Sequence, residues 1–464
     1  MMNSSYLNPT KDKPIQPVSH VVMLTLCALF AILYGIWLLP HTVFIRHVCL
    51  VAGALISLLI IWPRKAFLLQ RNAVPIWLIL LLLLWITVHL FFIGTDFQNQ
   101  LLEYTKAWKK IAISSVFAIG LGMGLRSQAG NSIATEKYWK IIYFGFLLPT
   151  IIYLIKCLVT YLGRRWGFPV PSYLIWSDDL SNTFAIHKVG YVFFCLPAFA
   201  LGLGRLKTLF NAGQAKFIDY LFYLSVLPVI LLNFYIEDTR NGFVYAFILT
   251  IVAIVGVWFS RSQTFVWRKI GVTVFLAAAF MYFASVTMQQ NQRWLSFVPD
   301  AQVALQIDKY DQWKYCGAVG HEYPVNSLGK QVSISNYERI AWAKAAIGLI
   351  KEHPWGYGDF DLSFNKLGVK HWPEATCLHQ SHSAWLDFAL GYGILGVLLL
   401  LLAAVCAWFF SRSSPFPWSM IGRWALGSTM LVLFTAEVST EIFINAFIFL
   451  IVWSSALSLH ADTN

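Results

Sequence analysis

The sequence predicts an all-α polytopic membrane protein with about twelve transmembrane helices and one large helical loop on the outer side. Three observations predict it. Hydrophobic residues make up 58% of the 464 positions and charged residues 12%, about half the charged share of a soluble domain. Apolar runs recur at about 20 residues, the length that crosses a hydrocarbon core roughly 30 Å thick. One stretch, 289–383, interrupts them, and at roughly ninety residues it is too long to be a simple connection.

The chain opens on polar residues that include Lys11, Lys13, Pro14 and Pro17. The first apolar run lacks a small-residue cleavage pattern, so it reads as a retained helix and not as a removed signal peptide. Spans are expected at 19–39, 42–62, 74–93, 111–125, 141–162, 189–204, 218–235, 242–260, 270–288, 384–410, 424–438 and 441–459. With the N-terminus inside, the inner loops collect Arg64, Lys65, Arg71, Arg126, Lys137, Lys140, Arg205, Lys207, Lys216, Arg261, Arg268, Lys269, Arg412 and Arg423. The short outer loops hold fewer, namely Lys106, Lys109, Lys110, Arg164, Arg165, Lys188 and Arg240. This asymmetry puts both termini inside and 289–383 outside. It also accounts for part of the formal net charge of +12, so the charge does not argue for nucleic acid. Three units follow: a bundle of nine helices over 1–288, the outer loop over 289–383, and three last helices over 384–464.

Inside the loop, Ser335-Asn336-Tyr337-Glu338 reads as a capping box, with Ser335 as N-cap and Glu338 three residues on. Ile340, Ala343, Ile347 and Ile350 follow at helical spacing, Pro354 closes the helix, and Trp355-Gly356-Tyr357-Gly358 forms a turn. Cys27, Cys49, Cys195 and Cys406 fall in apolar spans and Cys157 near one, as buried small hydrophobes. Cys316 and Cys377 are the two in the loop, where an oxidising compartment would join them. No Cys/His cluster has zinc spacing.

Three features exceed what a passive bundle needs. His382, in Ser381-His382-Ser383-Ala384-Trp385-Leu386-Asp387, stands where the loop re-enters the membrane, on a helix face with Trp385, Leu386 and Ala389. Its imidazole can take a proton near neutral pH; an interfacial His bonded to a carbonyl would read the same. Arg240, in the turn Glu237-Asp238-Thr239-Arg240-Asn241-Gly242, offers a planar fork for phosphate or carboxylate, unless it merely pairs with Glu237 or Asp238. Arg164, Arg165, Arg293 and Arg339 add charge on the same side, where snorkelling at the interface is the simpler role. Arg339 shares a helix row with Trp342, Ala343 and Ala346. Arg46 and Lys156, inside or near spans, have no explanation at this level.

In their order along the chain, these features resemble the bacterial O-antigen ligase and polymerase family. The segment SHSAWLDFALGYGILG is similar to the ligases' end-of-loop signature, with His382 in the key place and Ser383 where Asn is commoner. Arg339, Trp342, His353, Pro354, Gly356 and Gly358 resemble the segment upstream of it, and Thr239-Arg240-Asn241-Gly242 resembles the Ser/Thr-Arg-Gly segment. The resemblance implies a GT-C-like glycosyltransferase of the bacterial inner membrane, with its active site facing the periplasm. It would pass a glycan from undecaprenyl pyrophosphate to lipid A–core oligosaccharide. His382 and Arg240 are the implied catalytic residues, and Arg240, Arg339, Arg164 and Arg165 the implied pyrophosphate ligands. No cofactor or metal is implied, since arginines supply the positive charge. Polymerases of the family carry a Gly eleven residues after an Arg; Ile251, Ile175 and Ile350 stand at that distance from Arg240, Arg164 and Arg339. The alternatives are an O-antigen polymerase, a protein O-oligosaccharyltransferase, and, in another class, a flippase of lipid-linked sugar. A flippase predicts charged spans and two related halves.

Overall fold

In the computed structural model the residues described are 17–177, 181–212, 217–259, 266–290, 295–435 and 441–459. Lys216, Arg261, Arg293 and positions 436–438 of the eleventh expected span lie outside them, as does the Arg268 side chain. The chain is an all-α polytopic membrane protein. Among the described residues, eight helices are long and apolar enough to cross a membrane, and three apolar helices are shorter.

The first nine helices are α1 (His20–Ile36), α2 (Val43–Ile61), α3 (Val74–Phe92), α4 (Phe97–Ser127), α5 (Ser132–Trp166), α6 (Lys188–Ala212), α7 (Phe217–Ile236), α8 (Arg240–Trp258) and α9 (Val266–Gln290). The loop contributes α10 (Phe297–Ala304), α11 (Ile334–Glu352) and α12 (Ser363–His371). Then come α13 (Ala384–Phe410), α14 (Gly427–Val432) and α15 (Glu441–Leu457). The expected span 424–438 is therefore not one straight helix: a π turn, Ile421–Leu426, runs into six-residue α14. Side chains start the helices where the sequence offers them. Asp96 accepts from Asn99 N at 3.2 Å and Asn131 from Ala134 N at 3.1 Å, each satisfying an orphan donor of the first turn.

Helix α15 is the axis. Every residue from Phe443 to Leu457 is buried, as expected of a helix that is apolar all round. It packs against α4, α3 and α13, while α1 pairs with α5 and α2 with α4. The two basic residues inside this frame satisfy carbonyls: Lys156 Nζ donates to Phe184 O at 3.0 Å and Arg46 Nη1 to Trp37 O at 3.1 Å.

The loop has an apolar core built on Trp313, Tyr337, Trp342, Phe364 and Leu378, which α13 joins through Leu390. Cys316 and Cys377 are joined in a disulfide, with Cα atoms 5.6 Å apart and a sequence separation of 61. Closing a loop of that length should stabilise the folded chain by about 4 kcal/mol through the unfolded state. Replacing both cysteines by Ser should therefore lower the melting temperature. A non-reducing peptide map of protein from an oxidising compartment should show the two peptides linked; two free thiols there would contradict the bridge.

Candidate active site

The site is organised by the first half of α11. The face it buries is Tyr337, Ala341, Trp342, Ala345, Ala346 and Leu349. The row expected from spacing, Ile340, Ala343, Ile347 and Ile350, is only partly covered, and Ile347 is exposed. The capping box does not form. The N-cap is Ser333, without a side-chain cap bond, and Glu338 instead accepts from the Tyr323 hydroxyl. Burial pushes the Glu338 carboxyl above its ordinary range, against that hydrogen bond and the charges of His379, His382 and Arg339. Beginning the helix at Ile334 leaves Ser335 and Asn336 in its first turn, with side chains available for another element.

That element is the start of α8. Arg240 Nη2 donates to Ser335 Oγ at 2.7 Å, and Nη1 donates to Asn336 Oδ1 at 3.2 Å. Asn336 is oriented for this from behind, its amide nitrogen donating to Asp300 Oδ2 at 3.0 Å. Asp300 is fully buried and also accepts from Asn326 Nδ2 and Ser296 Oγ, both at 2.8 Å, and from Ser333 N at 3.2 Å. Spending the amide donor on Asp300 leaves the amide oxygen for the guanidinium. Glu237, one of the acids expected to close the turn on Arg240, accepts from Trp176 Nε1 at 2.8 Å.

His382 is the other half. Its ring lies against Trp342, with centroids 5.5 Å apart and 15° between planes. Trp342 is fixed in turn by donating from Nε1 to Trp313 O at 2.9 Å. His382 does not share a helix face with Trp385, Leu386 and Ala389 as expected, because α13 starts two residues later, at Ala384. The histidine has φ 57°, left-handed backbone that is uncommon outside Gly, Asn and Asp. A brace holds it there: Ser381 Oγ donates to Asp387 Oδ1 at 2.5 Å, Ser381 N to the same oxygen at 3.3 Å, and Asp387 N to Ser383 O at 3.0 Å. Strain held by its surroundings at a titratable group is a mark of functional sites. His379 is exposed and meets Trp342 edge-on at 5.9 Å.

Ser335 and Trp342 are seven residues apart, so they lie on one helix face, about 10 Å from each other along the axis. One helix thus carries the partners of Arg240 and the stacking surface of His382. A second link joins them: Leu433 O accepts from Ala384 N at 3.1 Å, and Thr435 Oγ1 meets Asn241 Nδ2 at 3.3 Å and the Tyr245 hydroxyl at 2.7 Å. Arg339 sits half-buried on the same turns of α11. Arg164 and Arg165 end α5 and are exposed. Arg164 lines a cavity of about 430 Å³ with Thr160, Trp176 and Ile236, joined to the Arg240 turn through the Trp176–Glu237 bond. No direct contact of either arginine with Arg240, Arg339 or His382 is among those described.

Beneath the site, α13 is not continuous. Tyr392 and Gly393 leave helical geometry, Gly393 with φ 71° and ψ −178°. The segment after α11 docks into the break: Tyr357 N donates to Leu390 O and Gly358 N to Gly391 O, each at 2.7 Å, and Ile394 N donates to Pro354 O at 2.8 Å. Residues 355–358 are therefore more than a turn; their backbone replaces the missing helical hydrogen bonds. Two residues overlooked in the sequence hold this joint. Glu103, buried in α4, accepts at Oε2 from Phe360 N at 2.9 Å and Asp361 N at 3.0 Å, and at Oε1 from Trp108 Nε1 at 3.2 Å and the Tyr392 hydroxyl. His89 Nε2 donates to Trp355 O at 2.9 Å, which leaves Nδ1 to accept from Gln100 Nε2 at 3.1 Å. Glu103 gave little signal, because the sequence places it in the connection between the spans expected at 74–93 and 111–125, whereas the structure carries it on α4. Asp300 and Asn336 gave none, because the bonds from Arg240 to Asn336 and from Asn336 to Asp300 are both long-range.

Residues 224–401, less than half of the chain, match the family model described as O-antigen ligase, a match that supports the O-antigen ligase and polymerase family. Members of that family are enzymes of glycan assembly in lipopolysaccharide biosynthesis. The matched stretch contains Arg240, all of α11, the docked glycines and His382, and leaves out Arg164, Arg165 and Glu103. No curated protein matches the chain.

Proposed function

We propose that this chain is an enzyme of the O-antigen ligase and polymerase family, and within it the ligase. It would transfer O-antigen glycan from undecaprenyl pyrophosphate to lipid A–core oligosaccharide at the periplasmic face of a bacterial inner membrane. The observation that carries the reading is the sharing of α11: Arg240 is held on its first turn and His382 is stacked on Trp342 two turns later. A cation and a proton acceptor whose partners, Ser335 and Trp342, stand about 10 Å apart along one helix suit a leaving pyrophosphate and an incoming hydroxyl. His382 takes the proton of the acceptor hydroxyl, whose oxygen attacks the anomeric carbon of the donor sugar. The bond from that carbon to the phosphate oxygen breaks, and its electron pair leaves with the undecaprenyl pyrophosphate. Arg240 and Arg339 stabilise the charge that develops there. Arg164 and Arg165 meet the donor earlier, where the cavity beside Trp176 opens. In this scheme 289–383 is the outer unit between the bundles 1–288 and 384–464.

Complementation separates ligase from polymerase. In a strain lacking its own O-antigen ligase, the chain should restore the ladder of glycan-bearing lipopolysaccharide on a gel. Restoration of chain length only in a polymerase-deficient strain would assign it to the polymerases. Orientation has a separate test. Single cysteines near 300 and 360 should label with an impermeant reagent from the outside, and those near 65 and 130 should not. Labelling of position 300 from the inside alone would end the proposed mechanism, because the glycan of the donor is presented outside.

A further inference from the structure

Three cations have no part in this chemistry. Helix α8 starts at Arg240 and α13 just after His382, so the far ends of these helices mark the end of the bundle opposite the site. Lys207, Arg412 and Arg423 gather there. Among the described residues none of the three forms an ion pair, and the pair formed nearby, Arg205 with Glu136 at 2.8 Å, uses another cation. They repel one another instead, Lys207 feeling the charge of Arg423 and Arg423 that of Arg412. The Arg412 guanidinium lies over the rings of Trp408 and Phe409, at 5.3 and 5.0 Å. The Lys207 ammonium rests against Gly256 of α8, where an added Cβ would stand 2.5 Å from Nζ.

From these cations an apolar cavity of about 380 Å³ runs toward the site, with Lys207 and Arg423 on its wall and Val252, Val405, Trp408, Trp424, Leu431 and Phe434 among its other lining residues. From Arg423 the wall runs through the π turn and six-residue α14 to Phe434, in the turn that follows. Phe434 adjoins Thr435, which bonds Asn241 and Tyr245 beside Arg240. A ligand for this groove must carry a negative head at one end and an apolar chain along the rest.

We infer that the groove binds one anionic glycerophospholipid, its phosphate between Lys207 and Arg423 and one acyl chain along α14 as far as Phe434. The donor lipid does not fit in this orientation, because a pyrophosphate held at Arg240 is at the other end of the bundle. Cations at a membrane boundary also attract bulk headgroups, but bulk attraction needs no groove. The inference is independent of the transfer reading.

The test uses the full-length chain, stripped of lipid in neutral detergent, and phosphatidylglycerol as the probe. Native mass spectrometry should show one phosphatidylglycerol retained per chain and no comparable retention of phosphatidylcholine. Phosphatidylglycerol should also raise the melting temperature more than phosphatidylcholine does. Lys207→Gln with Arg423→Gln should weaken retention at least tenfold, and so should Val252→Trp, which fills the groove and keeps both cations. Arg423→Gln alone, at an exposed position, should weaken it several-fold with the melting temperature in phosphatidylcholine unchanged. Equal retention of both lipids, or wild-type retention by Val252→Trp or by Arg423→Gln, would overturn the inference. So would displacement of the bound lipid by equimolar undecaprenyl phosphate.

Discussion

Alanine at Gly356 is expected to leave little folded protein. The residue has φ 88°, and a Cβ there would stand 2.3 Å from Gly393 N, 2.6 Å from Gly391 O and 2.8 Å from Tyr392 C. All three are backbone atoms of the broken stretch of α13, so no side chain can turn aside to make room. Gly393 presses back in the same way, its own Cβ position 2.3 Å from Trp355 C. Separating the two strands of backbone would break the bonds Tyr357 N to Leu390 O, Gly358 N to Gly391 O and Ile394 N to Pro354 O. Left-handed strain and overlap with fixed backbone together place the cost at roughly 4 kcal/mol or more, the range reserved for a named defect of packing or backbone. The control is Gly348→Ala on α11, where nothing lies within 4 Å of the added Cβ and helix propensity favours Ala by about 0.5–1 kcal/mol. Thermal unfolding in detergent compares them. A Gly356→Ala protein that melts with the wild type would show that the docked joint is not part of the stable fold.

Substitution of His382 should remove transfer and keep the fold. Losing a general base costs about 10²–10⁴-fold in rate, and the ring proposed for that role is the one stacked on Trp342. The choice of substitute matters, because the position has φ 57°. Alanine would confuse lost chemistry with backbone strain, whereas Asn accepts the left-handed region. His382→Asn should therefore melt as the wild type does and fail to transfer glycan, and His379→Asn should do neither harm. Normal transfer by folded His382→Asn would remove the base assignment.

The membrane fold was legible because length and apolarity of a run are local properties. Eleven of the expected spans fall on helices, and the exception, 424–438, contains a π turn and a short helix. The break in α13 was not legible. Gly391, Gly393 and Gly396 sit in an apolar run that reads as helix, and only the docking of 354–358 makes unwinding affordable. At the site, the types and order of Arg240, Arg339 and His382 were readable, and their arrangement was not. The Ser335 capping box obeyed a local rule that lost to a distant partner, Arg240. The face of α11 was misjudged because Trp342 packs on Trp313 and the His382 turn, and Ala345 and Ala346 are buried in the same core, contacts that the isolated helix pattern does not encode.

The central claim is that α11 presents Arg240 to a pyrophosphate and His382 to a hydroxyl as separable functions. Binding of an undecaprenyl pyrophosphate analogue to the purified wild-type, His382→Asn and Arg240→Lys proteins tests it most directly. The predicted result is wild-type affinity for His382→Asn and at least tenfold weaker binding for Arg240→Lys, which keeps the charge and loses the planar fork. Unchanged binding by a folded Arg240→Lys protein would contradict the account and leave Arg240 as a structural tie between α8 and α11.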